Sequence, residues 1–475
     1  MEKVFADCNP YTRCLMLLAG TGRSDITPAP GTPQGGWGAQ LHQRGIAADM
    51  PFYATALVLA QGNTQAAILD VDAIGFDGAF TDLILQKIEK LCGLPRSHIR
   101  LSCTHTHSGP NTFRLAMIRE GIDMIQAYLE HLPARIAGAV WQAQQNLRCV
   151  RVGASQGSCA NNANRRVRLT DGRMGVGVND EGFVDRTVRV IRFDDEHGQA
   201  VASLLHYACH PTTVAWQSQH FTPDYPGIAR QVMEHELGGH CLFLQGAAGN
   251  LGPRVGFTGD LNVYRKAGRI LGLEGARLAL EIETRPTRRT LRGFQESGAP
   301  IALYDYEPLP DDESILRVAH RMTPLPVRAF PPPADAEAEA EKLRAQCNRM
   351  RAEATEPEIR MATALATQAG TRSDLARLYH GKTSAAWPLQ TFRIGPIALI
   401  AVAGEPFAET GVEIAARSPF PHTLFSGYSN GGFGYIPTRQ AFHEGGYETD
   451  VSPFSEEAAK VLCAAALDQL NEVAL

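Results

Sequence analysis

The sequence predicts an α/β fold, and three observations carry that prediction. From Gly20 to about Ile282, short β-rich apolar runs alternate with longer amphipathic stretches. Runs of the same kind return at residues 389–394 and 397–403, after a strongly helical interruption. The chain also has 475 residues, 44% of them apolar and 20% charged, which is ample for a large core and excludes a small disulfide-stapled scaffold or extended disorder.

The first elements are two strands, 54–60 and 66–71, joined by a hairpin turn through Gly62 and Asn63. A helix is expected over 82–92, with Leu83, Leu85, Ile88 and Leu91 on its apolar side, Gly93 after its end and Pro95 beyond. Residues 98–104 read as a strand. Residues 125–145 carry apolar side chains at helical spacing, with Pro133 placed to kink or split the helix. Paired strands follow at 188–193 and 202–209, then a helix at 227–237 and a strand at 241–244. Residues 285–333, rich in Pro and Arg with weak periodicity, read as surface excursions. Residues 334–379, rich in Ala, Glu, Lys and Arg, form a helical insertion that Pro357 divides in two. No internal repeat is evident.

A formal net charge of −5 without a cluster of uncompensated Lys and Arg argues against nucleic acid as a partner. The ten cysteines, Cys8 and Cys14 among them, are scattered without a C-x-x-C pair and read as free thiols in a reducing compartment. The apolar run at 14–20 is too short to span a bilayer, which needs ~20 residues, so the expected location is the cytoplasm, without stable membrane insertion. Homo-oligomerisation is compatible with the composition.

Chemistry concentrates where apolar runs end. In LSCTHTHSGP, residues 101–110, His105 and His107 are two positions apart, so on an extended chain both imidazoles face one side and can reach one site. A polar pair at a strand end is the bland alternative. LHYACHPTT, residues 205–213, ends a second strand in His210, whereas His206 reads as an interior histidine. Glu405 follows the apolar run 397–403 and either turns to water or meets a partner, since an unpaired buried carboxylate is costly. Residues 427–448, GYSNGGFGYIPTRQAFHEGGYE, place Tyr435 and Tyr447 in a glycine-rich stretch. Two histidines and a carboxylate at strand ends suit a catalytic Zn²⁺ with an open position for water. Asp70 and Asp72 end a strand and read as solvated or capping groups, and Asp224 as a helix cap. Trp216 either lines a pocket or packs.

The ordered set THTHSGP at 104–110, Asn164-Arg165, ACHPTT at 208–213, QGAAGNLGP at 245–253, GEPF at 404–407, and YIPT followed by YE resembles the neutral/alkaline ceramidase family, from about Gly22 to the C-terminus. That resemblance implies a large mixed β-sheet core flanked by helices. It also implies that Zn²⁺ is held by His105, His210, Glu405 and the phenol oxygen of Tyr435, with His107, Arg165 and Tyr447 around the scissile amide. In that arrangement zinc lowers the pKa of its bound water toward ~7 for attack on the carbonyl. His107 handles the proton, and Arg165 and Tyr447 donate to the developing oxyanion.

Two positions depart from the family pattern. Gly252 stands where the family carries a serine, and the chain ends at Leu475, too soon after Tyr447 for the family's immunoglobulin-like sandwich of ~100 residues. One ceramidase-like zinc hydrolase domain over 1–475 is therefore expected, acting on linear amides of the N-acyl lipid type, with sphingolipids as the family's default. A small soluble amide, lactone or ester is the alternative substrate. A noncatalytic, metal-containing binding module is the alternative of another class.

Overall fold

Tyr53–Gln61 and Thr64–Val71 pair antiparallel about the Gly62-Asn63 turn, and Gly62 takes the positive φ of 56° that the turn requires. This hairpin begins a motif that the fold uses three times. The structure is a computed structural model, and it describes residues 16–113, 118–309, 315–431 and 434–475; Cys8 and Cys14 lie outside them.

In the first unit Leu18–Asp25 flanks the hairpin antiparallel, the helix Gly78–Cys92 crosses over, and Ile99–Cys103 joins the hairpin's second strand in parallel. The second unit repeats the order. Arg151–Ser158 flanks the hairpin Thr187–Asp194 and Ala200–Tyr207, and the helix Tyr225–Leu237 leads to His240–Gln245 in parallel. In the third, Leu316–Pro326 flanks Ser384–Ile394 and Ile397–Val402, and the helix Ala408–Arg417 leads to the parallel strand His422–Ser426. The sequence hides this repetition because it lies in backbone pairing and burial, which very different apolar residues satisfy equally well.

The mixed α/β class is as expected, with the strands distributed over several sheets. The three repeated sheets turn their inner faces to one apolar cluster: Leu57 and Ile68 from the first, Phe193 and Leu204 from the second, Phe392 and Leu399 from the third, all fully buried. Helices seal the outer faces. Gly78–Cys92 and Ile122–Gln145 cover the first sheet, Tyr225–Leu237 and Leu261–Leu280 the second, and Ala408–Arg417 and Ala458–Ala474 the third.

Three expectations need correction. The buried face of Gly78–Cys92 is Thr81, Ile84, Leu85 and Ile88, while Leu83 and Leu91 are about half exposed at 48% and 50%. Pro133 does not split its helix, because Leu132, Ile136, Ala139 and Val140 pack onto the first sheet and offset the ~3 kcal/mol that an interior proline costs. That packing is close: a Cβ on Gly22 would come within 2.2 Å of the Ala139 carbonyl oxygen. Finally, residues 285–333 are not all surface excursion. Thr287–Gln295 and Ile301–Pro308 form an exposed hairpin, but Leu316–Pro326 is an integral strand of the third sheet.

The helical insertion forms as Pro333–Glu353 and Glu356–Tyr379, with Pro357 in the first turn of the second helix and Thr355 and Glu358 closing a capping box. Among the described residues, no helix is long and apolar enough to cross a membrane.

Phe392 tests the shared core. Truncation by Phe392→Ala is expected to cost about 3–5 kcal/mol in denaturant unfolding, and Leu83→Ala less than about 0.5 kcal/mol. A loss below about 1 kcal/mol for Phe392→Ala would contradict the three-sheet core.

Candidate metal and catalytic site

Each repeated sheet sends one strand end to the same point. His105 follows Ile99–Cys103 of the first sheet, His210 follows Ala200–Tyr207 of the second, and Glu405 follows Ile397–Val402 of the third. Strand ends are where α/β architectures open to ligands. Backbone bridges between Ser102 and Ser429 and between Gly246 and Ser426 tie the third sheet to the other two beside that point.

His105, His107 and His210 bring one ring nitrogen each to within 4.8 Å of one another. Their tautomers follow from the backbone. His105 Nδ1 donates to Ile74 O at 2.5 Å, His107 Nδ1 to Gly36 O at 2.8 Å and His210 Nδ1 to Ala248 O at 2.7 Å. A carbonyl oxygen only accepts, so each Nδ1 carries the hydrogen and each Nε2 keeps its lone pair. This is how metal-ligating histidines are oriented. Burial first, then the neighbouring His210 and His107, holds His105 well below the usual imidazole value against the pull of Glu405. Burial and then Arg165 do the same to His210. Both rings are neutral, the ligating form.

Glu405 is buried, with Oε2 3.1 Å from His210 Nε2 and 3.7 Å from His105 Nε2. A neutral His210 makes no ion pair with it. Neither His210 Nε2 nor Glu405 Oε2 has a hydrogen-bond partner, so a buried carboxylate faces a buried lone pair. That confrontation is costly alone and is resolved by a cation between them, so the donor set fits a divalent ion. Tyr435 stands beside Glu405 because Glu405–Pro406 and Tyr435–Ile436 pair in parallel with these two residues in register. Its ring stacks on His210, centroids 6.4 Å apart, and burial, then the charge of Glu405, pushes the phenol well above its ordinary value.

Backbone strain accumulates here. His105 has φ 67° and Tyr428 φ 55°, with their rings 4.5 Å apart. Each such conformation costs ~1–3 kcal/mol and persists only where the surroundings dictate it. Glycine serves close approach at Gly249, where a Cβ would lie 2.5 Å from the Glu405 carbonyl oxygen.

The remaining sequence candidates border this cluster. Arg165 lies over the Tyr435 ring at 5.3 Å, donates from Nε to Glu448 Oε1 at 2.9 Å, and keeps a buried Nη2 without a hydrogen-bond partner. Tyr447 is half-buried, its ring 5.8 Å from that of Tyr435. Gly252 faces Arg165, and a Cβ there would meet Arg165 Cβ at 3.4 Å, an ordinary contact. A serine would therefore fit.

Glu448 escapes detection in the sequence. It is buried and receives Arg165 on one oxygen and Arg166 on the other, the latter at 2.7 Å. Only its place next to Tyr447 signals it. Trp37 is a second such residue, its ring 5.3 Å from His107 and packed with Trp216 and Phe257. Asp70 and Asp72 are corrected: both are buried and clamped by Arg230, whose nitrogens lie 2.6 and 2.7 Å from them, because two adjacent carboxylates inside a fold need a cation. His206 is interior as expected, donating to Phe425 O, and Asp224 caps Tyr225–Leu237.

The family model for neutral/alkaline non-lysosomal ceramidase, N-terminal, matches residues 17–254. That stretch contains His105, His107, Arg165, His210 and Gly252. The neutral ceramidase of Pseudomonas aeruginosa is 22% identical over 93% of this chain and 70% of its own length. The crystal structure of neutral ceramidase from Pseudomonas aeruginosa superposes with a TM-score of 0.69 at 19% identity, covering 97% of this chain and 74% of that one. A ceramidase complexed with C2 gives 0.67 at 19% identity, covering 97% and 75%. Both likenesses carry the fold.

Removal of Glu448 should expose its role. Glu448→Ala leaves two buried guanidinium groups without their shared carboxylate and is expected to cost about 3–5 kcal/mol in denaturant unfolding. A loss below about 1 kcal/mol would mean that the fork does not hold the arginines.

Proposed function

Because the chain belongs to the neutral/alkaline non-lysosomal ceramidase family, we propose that it is a zinc-dependent hydrolase cleaving the amide bond of a linear N-acyl substrate. One observation carries the reading: the buried, partnerless His210 Nε2 and Glu405 Oε2 facing each other beside His105. His105, His210, Glu405 and Tyr435 would hold the ion. Zinc bound there supplies Lewis acidity, lowering the pKa of a coordinated water toward ~7 and polarising the substrate carbonyl.

The other side chains have separate tasks. His107 is fixed by Gly36 with Nδ1–H outward, so it accepts a proton at Nε2 and returns it to the departing amine. Arg165 presents Nη2 to the oxygen of the carbonyl as charge grows on it, and Glu448 keeps the guanidinium aimed. Tyr447 donates its O–H to the same oxygen. Trp37 screens His107 from water. A noncatalytic binding module would need the ion alone and has no use for a buried arginine held with an idle donor.

The close approach of a His107 ring nitrogen to those of His105 and His210 supports a second assignment, in which His107 itself ligates the ion. Metal content separates the two. Tight stoichiometric zinc should be lost in His105→Ala and His210→Ala and kept in His107→Ala, as measured by elemental analysis after dialysis. Full metal in His105→Ala would refute the proposed ligand set, and loss in His107→Ala would make that residue a ligand.

Tyr447→Phe should keep the metal and lower kcat by ~10²–10³, the range for removal of one oxyanion donor. The assay is hydrolysis of N-acyl sphingosines beside short soluble amides, lactones and esters. Unchanged turnover would remove Tyr447 from the mechanism. We also place the protein in the cytoplasm, with the free thiols Cys92, Cys103, Cys159, Cys209, Cys241, Cys347 and Cys463 as support.

A further inference from the structure

A second cleft adjoins the histidine cluster. It shares Gly36 and Trp37 with it, the first fixing His107 and the second packing on its ring, and it extends to the inserted helices through Arg351, Thr363 and Thr367. Its empty space, open mouth included, is about 660 Å³, against about 340 Å³ for the apolar cavity that Ile74, Phe76 and Leu101 form on the other side of His105 and Glu405. The two cavities differ in character as well as size.

About half of the larger cleft's wall is polar, and its loop is braced from within. His42 Nε2 donates to Gln34 Oε1 at 2.7 Å, and Gln40 Nε2 donates to the carbonyl oxygens of Gln34 and His42. Burial lowers the pKa of His42, so its ring adds no charge. Among the described residues no Asp or Glu lines the cleft. Among the described residues that line it, Arg351 is the cation: it donates from Nη2 to Thr363 Oγ1 at 3.4 Å, and its Nε is buried without a hydrogen-bond partner. Among the described residues no carboxylate pairs with it. Arg119 lies near enough that, after burial, the charge of Arg351 is the next influence on its guanidinium. An unpaired guanidinium in a neutral polar cleft is complementary to an anion.

We propose that this cleft receives an anionic group, a carboxylate or a phosphate, on the amine side of the substrate, with Arg351 as the residue that selects it. The proposal rests on the hydrolase reading above and narrows its substrate class. The scissile amide lies at the histidine cluster, and the charged end of the amine lies between residues 34–43 and the inserted helices. The favoured substrate is then an N-acyl amino acid or a similarly charged N-acyl amine in preference to a neutral amino alcohol.

The test compares N-octanoylglycine with N-octanoylethanolamine, matched in size and differing in carboxylate against hydroxyl. Binding of each to the full chain supplied with zinc is measured by calorimetry. N-octanoylglycine is expected to bind ~10–100-fold tighter, the range for a hydrogen bond to a charged group, with the preference falling below ~3-fold in Arg351→Gln and partly restored in Arg351→Lys. Equal binding by the unaltered protein overturns the proposal, as does a preference that survives Arg351→Gln, since zinc would then be the carboxylate's partner. Turnover is read separately. An Arg351-dependent preference without turnover of either compound supports the cleft and counts against the hydrolase reading, whereas turnover of both with equal binding overturns the cleft alone.

Discussion

The constraint on which the site depends is the single apolar cluster shared by three sheets. Each sheet buries one face against the other two, so the positions of their strand ends are fixed relative to one another by packing. Close-packed interiors resist displacement, and that rigidity delivers His105, His210 and Glu405 to one point from residues far apart in the chain. A set of donors assembled from loops alone would need an ion to order it. Here the order comes from burial in the shared core.

Polar contacts between the units lock the arrangement. Asp70 Oδ2, on the first sheet, accepts from Phe243 N of the second at 2.8 Å and from Arg230 on the second sheet's covering helix. The clamp therefore spans two units. Glu448 plays the corresponding part on the far side, joining the Asn162–Arg168 strand to the segment that carries Tyr447 through adjacent arginines. Buried pairs of this kind add little net stability but penalise any arrangement that separates them. In that sense they specify the geometry more than they stabilise the fold.

Much of this was legible in the sequence, and the reasons for the gaps are physical. The hairpins, the crossover helices and the divided helical insertion announce themselves through turn residues, caps and period. His105, His210 and Glu405 are legible because each stands just after an apolar run, where a strand must end, whereas Arg165, Tyr435 and Tyr447 are reached only through the ordered set of motifs. Leu83 and Leu91 misled because a mixed helix face is read from spacing alone, whereas the sheet beneath selects Ile84 and Ile88. Leu316–Pro326 was obscured by two prolines that an edge strand tolerates. Glu448 and Trp37 take their meaning from partners far away in the chain, and Arg351 from the cleft wall at residues 34–43, and no local pattern encodes such neighbours.

Three sheets are proposed to place their donors around one divalent ion. Crystals of the as-purified full chain, measured at the zinc absorption edge, put this to the test. One strong anomalous peak is expected within coordination distance of His105 Nε2, His210 Nε2 and a Glu405 oxygen. Zinc bound elsewhere with that position empty, or donors drawn apart into their own hydrogen bonds, would contradict it.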